Sequence, residues 1–237
     1  MPGHLIVGDG HYQGLPGETE RLARLLEAAS RVGVDELSIL GDFFELWLAL
    51  PGMDPPGAAP LWELLRARQL SGWRLRYVVG NRDYFVAQWN ARARLFGHVE
   101  DPGCVVEGAA GKLVLAHGDL VNRADRQYRR WRRFSRNPIV SLMVRSLPQA
   151  TIARLGTRTA ARLKATNRYH KSYFPEAELR ARAREYAPGP ATLIFGHFHE
   201  HHDLVEGDKR IITLPFLGRD NAGLLVDAGG LRLFTAP

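Results

Sequence analysis

At 237 residues, 45% hydrophobic and 24% charged, the chain has the size and composition of one sizeable folded domain with room for an inserted subdomain, which excludes a disordered polypeptide. The single cysteine, Cys104, excludes an internal disulfide and any four-cysteine zinc site, and no run approaches the roughly 18 apolar residues of a membrane span. The net charge of +7 comes from one segment: Arg123 to Arg184 holds seventeen Lys and Arg against three acids, which suits either an anionic partner or a solvated helix face.

The first apolar run, Leu5-Ile6-Val7, is too short for the core of an export signal and leads straight into Asp9 and His11, so a cytoplasmic protein is expected. His4–Gly8 reads as a strand, and Glu18–Val32 as an amphipathic helix with Leu22, Leu25, Leu26 and Ala29 on one face. Glu36–Leu40 is the next strand, Pro51–Pro60 a Pro/Gly-rich loop and Leu61–Leu70 a helix. Leu75–Val79 is a third strand, with a helix around Tyr84–Leu95. Cys104–Glu107 and Lys112–Ala116 form an antiparallel pair, in which Cys104 is expected as a small buried apolar residue. From Asp119 to Ala187 there are only helical patterns, broken at Pro138, Pro148 and Pro175; strands resume at Thr192–Phe195, Arg210–Leu214, Leu224–Val226 and Leu231–Phe234. An all-helical block inside a β-rich frame reads as an insertion, which divides the chain into a frame of residues 1–118 and 188–237 and a helical cap of 119–187.

Five clusters of metal-binding residue types follow strand-like runs: Asp9-Gly10-His11, Gly41-Asp42, Gly80-Asn81-Arg82-Asp83, His117-Gly118-Asp119 and Gly196-His197-Phe198-His199. Open α/β sheets bind ligands outside the carboxyl ends of their strands, which is where all five fall. A lone Asp-x-His or Gly-Asp is an ordinary turn, but Gly-His-x-His after an apolar strand has no packing rationale. In this order the five point to a metal site. Asp9, His11, Asp42, Asn81, His117, His197 and His199 offer the mixed oxygen and imidazole set that a pair of divalent cations needs for attack on a phosphate ester, with Asp42 as the shared carboxylate. Hard oxygens mixed with imidazole suit Mn²⁺ and Fe²⁺, with Zn²⁺ or Co²⁺ as replacements.

This ordered set, spanning nearly the whole chain, resembles the calcineurin-like metallophosphoesterase superfamily. The resemblance implies an α/β fold, a four-layer α/β/β/α sandwich, in which Asp9, His11, Asp42 and His199 hold one cation and Asp42, Asn81, His117 and His197 the other, with a water activated by the pair attacking phosphorus. Within that superfamily, Gly-Asn-Arg-Asp-Tyr-Phe from Gly80, Gly-Asp-Phe-Phe-Glu-Leu-Trp from Gly41, and His117-Gly118-Asp119 followed by Asp125 and Tyr128 are similar to the UDP-2,3-diacylglucosamine pyrophosphatases of lipid A biosynthesis, whose helical cap falls where this chain has its insertion. That likeness implies a lipid-linked UDP-sugar substrate and a cytoplasmic enzyme touching the inner membrane surface, with no nucleic-acid partner.

On this reading Arg82, Asp83 and His117 carry the catalysis. Arg82 stays protonated at any workable pH, so it cannot donate a proton to a leaving group; it can grip a phosphate and stabilise charge in the transition state. A pyrophosphate suits this, because its leaving phosphate departs unprotonated. Asp83 is expected to orient a ligand or Arg82, and Glu45 and Trp47 to pack or support. Substrate contacts are assigned to Asn81, Arg82, Asp125, Tyr128, Lys164, Asn167, Lys171 and His197, with His170 on the same helical run. The stretch from Pro138 to Val144 is expected to pack the cap against the body, with an acyl-chain groove or membrane contact beside Arg129-Arg130-Trp131-Arg132-Arg133 as the alternatives. His201 and His202 are expected to reach solvent. Departures from the family pattern are Gly10, where a bulky apolar residue is usual, Phe198 and Glu200 in the last histidine motif, and Leu217-Gly218-Arg219-Asp220-Asn221 without an aromatic after its glycine. Two other readings compete: a nucleotide- or nucleic acid-directed phosphoesterase, and a metal-stabilised scaffold without activity.

Overall fold

A computed structural model describes residues 3–170, 174–186 and 189–236, without the side chains of 160–170. The strands are β1 (Gly3–Val7), β2 (Val34–Ile39), β3 (Trp47–Leu48), β4 (Arg74–Val78), β5 (Asp83–Tyr84), β6 (His98–Glu100), β7 (Gly103–Gly108), β8 (Gly111–Ala116), β9 (Ala191–Phe195), β10 (His202–Glu206), β11 (Lys209–Thr213), β12 (Ala222–Asp227) and β13 (Gly230–Thr235). The helices are α1 (Glu18–Arg31), α2 (Ala58–Leu70), α3 (Val86–Ala93), α4 (Arg126–Ser135), α5 (Pro138–Arg145), α6 (Gln149–His170), α7 (Glu176–Arg184) and the single turn α8 (Leu217–Asp220).

Two sheets carry the fold, ordered β13-β12-β1-β2-β4-β6 and β10-β11-β9-β8-β7, with β3 and β5 as a small parallel pair. The two-residue period of the strands sorts their apolar side chains between faces. On β1, Leu5 and Val7 join Leu22, Leu25, Leu26 and Ala29 of α1 in one cluster, while Ile6 points the other way. That other way lies a second cluster drawn from both sheets: Ile6, Leu40, Val78, Leu224 and Val226 of the first with Leu113, Leu115, Ile194 and Ile212 of the second. Leu193, Phe195 and Ile211 face away from it and meet Leu179 and Ala183 of α7 in a third cluster. So α7, although inside the expected insertion, packs on the second sheet.

Sequence-based bounds hold for most elements within about two residues. The alternation missed the short β3, β5 and β6, and also β10, which pairs antiparallel with β11 from His202 opposite Thr213. His202 is half-buried, its ring stacked on Phe174 at 3.8 Å, whereas His201 is exposed with Nδ1 3.0 Å from the carbonyl of Thr213. Cys104 is half-buried rather than buried, because β7 lies at a sheet edge. The largest correction concerns α5. Its apolar side chains were expected to pack the cap on the body, yet Ile139, Leu142 and Met143 are 69%, 66% and 63% exposed. The physical reason is that neither α4 nor α5 buries a residue; α4 reaches the frame through arginine hydrogen bonds instead. Among the described residues no helix is long and apolar enough to cross a membrane.

Candidate metal centre

All seven expected ligands converge at the carboxyl ends of β1, β2, β4, β8 and β9. Five of them, Asp9, His11, Asp42, His197 and His199, have positive φ between 45° and 68°, a region that costs non-glycine residues energy and is held only where the surroundings enforce it. Backbone bonds between loops do the enforcing: Asp9 N donates to the Gly41 carbonyl at 3.1 Å and His11 N to the Asp42 carbonyl at 3.0 Å. Gly41 and Gly80 are obligatory at this crossing. A Cβ on Gly41, at φ 79°, would stand 2.5 Å from Gly80 N, and one on Gly80 would meet an Asp42 oxygen at 2.3 Å.

The side chains form two groups. In the first, Asp9 Oδ1 lies 3.3 Å from His199 Nε2 and 3.7 Å from His11 Nε2, with Asp42 Oδ2 4.0 Å from the latter. In the second, Asn81 Oδ1 lies 2.9 Å from His117 Nε2 and 3.1 Å from His197 Nδ1, and Asp42 Oδ2 is 3.7 Å from His117 Nε2. Asp9, Asp42 and His117 also come within ligand-sharing distance of one another, so Asp9 stands between the groups as well as Asp42.

Three of the four histidine rings are supported from behind. His117 Nδ1 is 2.7 Å from the Leu40 carbonyl, which can only accept, so Nδ1 carries the proton and Nε2 faces the pocket. Glu45 Oε2 is 3.3 Å from His11 Nδ1 and does the same for that ring. Phe216 stacks on His199 at 4.7 Å between centroids and meets His11 edge-on at 5.5 Å. The aromatic missing after Gly218 is thus supplied two residues before it. Gly10 also has its reason: a Cβ there would fall 2.8 Å from the Tyr12 ring, which occupies that space.

The set fits cations. Asp9 Oδ1 and His11 Nε2 are buried with no hydrogen-bond partner, a costly state unless something positive meets them. With its proton on Nδ1, a neutral His117 turns a lone pair on Nε2 toward the Asn81 oxygen, so two acceptors face each other there. Burial opposes ionisation of Asp9, but the imidazoles of His11 and His199 beside it hold its carboxyl well below the usual carboxylate range. His11 is pushed up to about 9, against its burial, by Asp9 and Glu45; burial and then the neighbouring His117 bring His197 down to about 4. Asp9 is thus a buried carboxylate held in its charged form.

The Asn81 loop is fixed differently. Asp83, fully buried, accepts from Gly80 N at 2.7 Å and Asp42 N at 2.9 Å, and burial followed by repulsion from Asp42 raises it to about 6. It therefore holds the ligand loops together and does not touch Arg82, as the alternative expectation had it. Arg82 lies buried at the pocket wall, donating to Glu45 Oε1 at 2.9 Å, with Nε 3.4 Å from Asp42 Oδ2. Trp47 is buried among Phe44, Trp62, Tyr77 and Trp89 beneath these loops.

Of the expected substrate contacts, Asp125 caps α4, accepting from Tyr128 N at 2.8 Å, and the Tyr128 hydroxyl donates to Asp119. Lys171 and the side chains of Lys164, Asn167 and His170 lie outside the described residues. Sequence reasoning missed Asp119, Arg132, Arg136 and Phe216 as parts of the site's support. Only the four-residue recurrence of Tyr128, Arg132 and Arg136 could have flagged them.

Two facing sheets with paired carboxylate, amide and imidazole groups at their loop edge define a dinuclear phosphoesterase class. The chain belongs to the calcineurin-like phosphoesterase family, whose family model matches residues 5–201, and it is a hydrolase. It is 33% identical to a UDP-2,3-diacylglucosamine hydrolase of Pseudomonas paraeruginosa over 96% of both chains, and 32% identical to one of Pseudomonas putida over 97% of both. Among solved structures the fold is shared with Yfce, a phosphoesterase from E. coli, at TM-score 0.50 and 18% identity over 99% of this chain and 93% of that one. An archaeal phosphodiesterase matches with TM-score 0.50 and 13% identity over 98% of each chain.

Proposed function

We propose that the chain hydrolyses the pyrophosphate bond of UDP-2,3-diacylglucosamine, giving UMP and 2,3-diacylglucosamine 1-phosphate, a step of lipid A biosynthesis. The observation that carries this reading is the gathering of all seven side chains in one pocket with Asp9 Oδ1 and His11 Nε2 left unpartnered. The names and near-complete coverage of the Pseudomonas relatives support the choice of substrate.

Asp9, His11, Asp42 and His199 would hold one divalent cation, and Asp42, Asn81, His117 and His197 the other, with Mn²⁺ the expected metal. When bound, such a pair polarises phosphoryl oxygens and makes water a nucleophile at neutral pH. The chain's own part is to place the reacting groups. Arg82, permanently charged and buried beside Asp42, faces the phosphoryl oxygens where negative charge develops. Asn81 and His197 contact the same phosphate. Water adds to the phosphorus next to uridine, and the sugar 1-phosphate leaves as an anion that needs no proton donor. Asp83 serves by fixing the Asp42 and Gly80 backbones.

The 119–187 insertion acts as the cap for the lipid part of the substrate, with Asp125, Tyr128, Lys164, Asn167 and Lys171 as its contacts. The protein works in the cytoplasm on the inner membrane surface. The outward face of α4 and α5 supports this, with Phe134, Ile139, Leu142 and Met143 exposed beside Arg130 and Arg133.

Purified protein with Mn²⁺ should release UMP from UDP-2,3-diacylglucosamine in mixed micelles, and a chelator should stop it. Turnover of oligonucleotides without any UMP release from the lipid nucleotide would overturn the assignment.

A further inference from the structure

The inner face of α4 is a stripe of three side chains. Tyr128, Arg132 and Arg136, the last at the C-cap, recur every four residues and so stand above one another. Arg132 Nε donates to Asp119 at 2.7 Å and its Nη2 to Asp101 at 2.5 Å, beside the Tyr128 hydroxyl on the same Asp119 oxygen. Arg136 makes a different kind of contact. Its Nη2 donates to the carbonyl of Gly80 at 2.7 Å and its Nη1 to the carbonyl of Asp83, while the guanidinium carbon lies 5.0 Å over the Tyr84 ring.

Those two carbonyls bracket Asn81 and Arg82. The same loop is held from its other side by Asp83, which accepts from Gly80 N at 2.7 Å, and by Asp42, which accepts from Arg82 N at 2.8 Å. Gly80 thus has its amide fixed by a carboxylate of the frame and its carbonyl fixed by an arginine of the insertion. The amide and the carbonyl belong to the successive peptide planes on either side of the Gly80 Cα, so both planes are held, and the direction of the Asn81 side chain is set with the second.

We propose that Arg136 is a positioning residue for the Asn81–Arg82 loop: it sets the aim of Asn81 Oδ1 at His117 and His197, and of the Arg82 guanidinium at the phosphate site. The proposal rests on the reading above that Asn81 and Arg82 serve the pocket. A planar guanidinium spans two carbonyls at once, whereas a lysine ammonium is a single flexible point and would hold one. Arg136 belongs to the 119–187 segment and Asn81 to the frame, so this one side chain, rather than the seating of α4 as a whole, carries the contact to the loop.

The test uses full-length Arg136→Ala and Arg136→Lys, with Arg132→Ala as the comparison that loosens α4 without touching the loop. Three quantities are read: kcat and KM for bis(4-nitrophenyl) phosphate with Mn²⁺, the Mn²⁺ binding isotherm, and hydrogen exchange of the amides of 79–84. Arg136→Ala should lower kcat about 10- to 100-fold with KM changed less than about threefold, weaken one Mn²⁺ equivalent about tenfold, and speed exchange of 79–84 while β1 and β2 stay protected. Arg136→Lys should recover little of the kcat, and Arg132→Ala should leave exchange of 79–84 near the wild-type rate. Wild-type kcat and exchange in a folded Arg136→Ala, full recovery in Arg136→Lys, or the same exchange pattern in Arg132→Ala would each overturn the proposal. Should Arg136→Ala fail to fold, Arg136→Lys against wild type decides it on the same three readings. Wild-type turnover of the diester without turnover of UDP-2,3-diacylglucosamine would count against the substrate reading and leave the Arg136 comparison intact.

Discussion

The candidate metal loops and the α4–α5 region are built by opposite means. At the loops, polar side chains are buried and crowded over a floor of aromatic rings, with five candidate ligands in left-handed backbone. Three of the four histidine rings there, His117, His11 and His199, are backed by the Leu40 carbonyl, Glu45 or Phe216. On α4 and α5 no residue is buried, apolar groups face out, and attachment runs through arginine hydrogen bonds. Rigidity at the first site fixes distances that chemistry needs. At the second, an attachment without an apolar core costs little to open, as the proposed role of a cap over the substrate would require.

The rigid side of this contrast is broken most strongly at Glu45, whose Oε2 lies 3.3 Å from His11 Nδ1 and whose Oε1 accepts from Arg82 at 2.9 Å. Glu45→Ala should lower metal affinity or kcat about 10- to 100-fold, and Glu45→Gln, which keeps one hydrogen bond but not the charge, should fall between it and wild type. Calorimetric Mn²⁺ titration beside steady-state kinetics checks this; an Ala variant with wild-type values would mean that the rear support is ornamental. The open side is sharpened at α5. Burying one leucine side chain is worth about 1.5–3 kcal/mol, so Leu142→Glu should weaken binding to phosphatidylglycerol vesicles about tenfold in a sedimentation assay. Unchanged vesicle binding would show that the exposed apolar face meets something other than a bilayer.

The sequence was most informative where chemistry is carried by the residue itself. Five short clusters in order, each after a strand-like run, placed seven candidate ligands that the fold does bring together, and most frame elements could be read without coordinates. Reading failed where a partner is backbone. Arg136 binds two carbonyls, and carbonyls leave no trace in composition. It failed again at Ile139, Leu142 and Met143, because an apolar run reports what a helix could bury and not whether anything lies against it. Asp83 was expected to orient a ligand, and its bonds to the Asp42 and Gly80 amides suit that task, but that its partners would be backbone amides was not legible in the sequence.

The central claim is that these loops assemble a two-cation pocket. Anomalous diffraction from crystals soaked in Mn²⁺ tests it directly. Two peaks about 3.5–4 Å apart are expected, one against Asp9, His11 and His199, one against Asn81, His117 and His197, with Asp42 on both. A pocket that takes no Mn²⁺, or a single ion bound away from Asp42, would contradict the account.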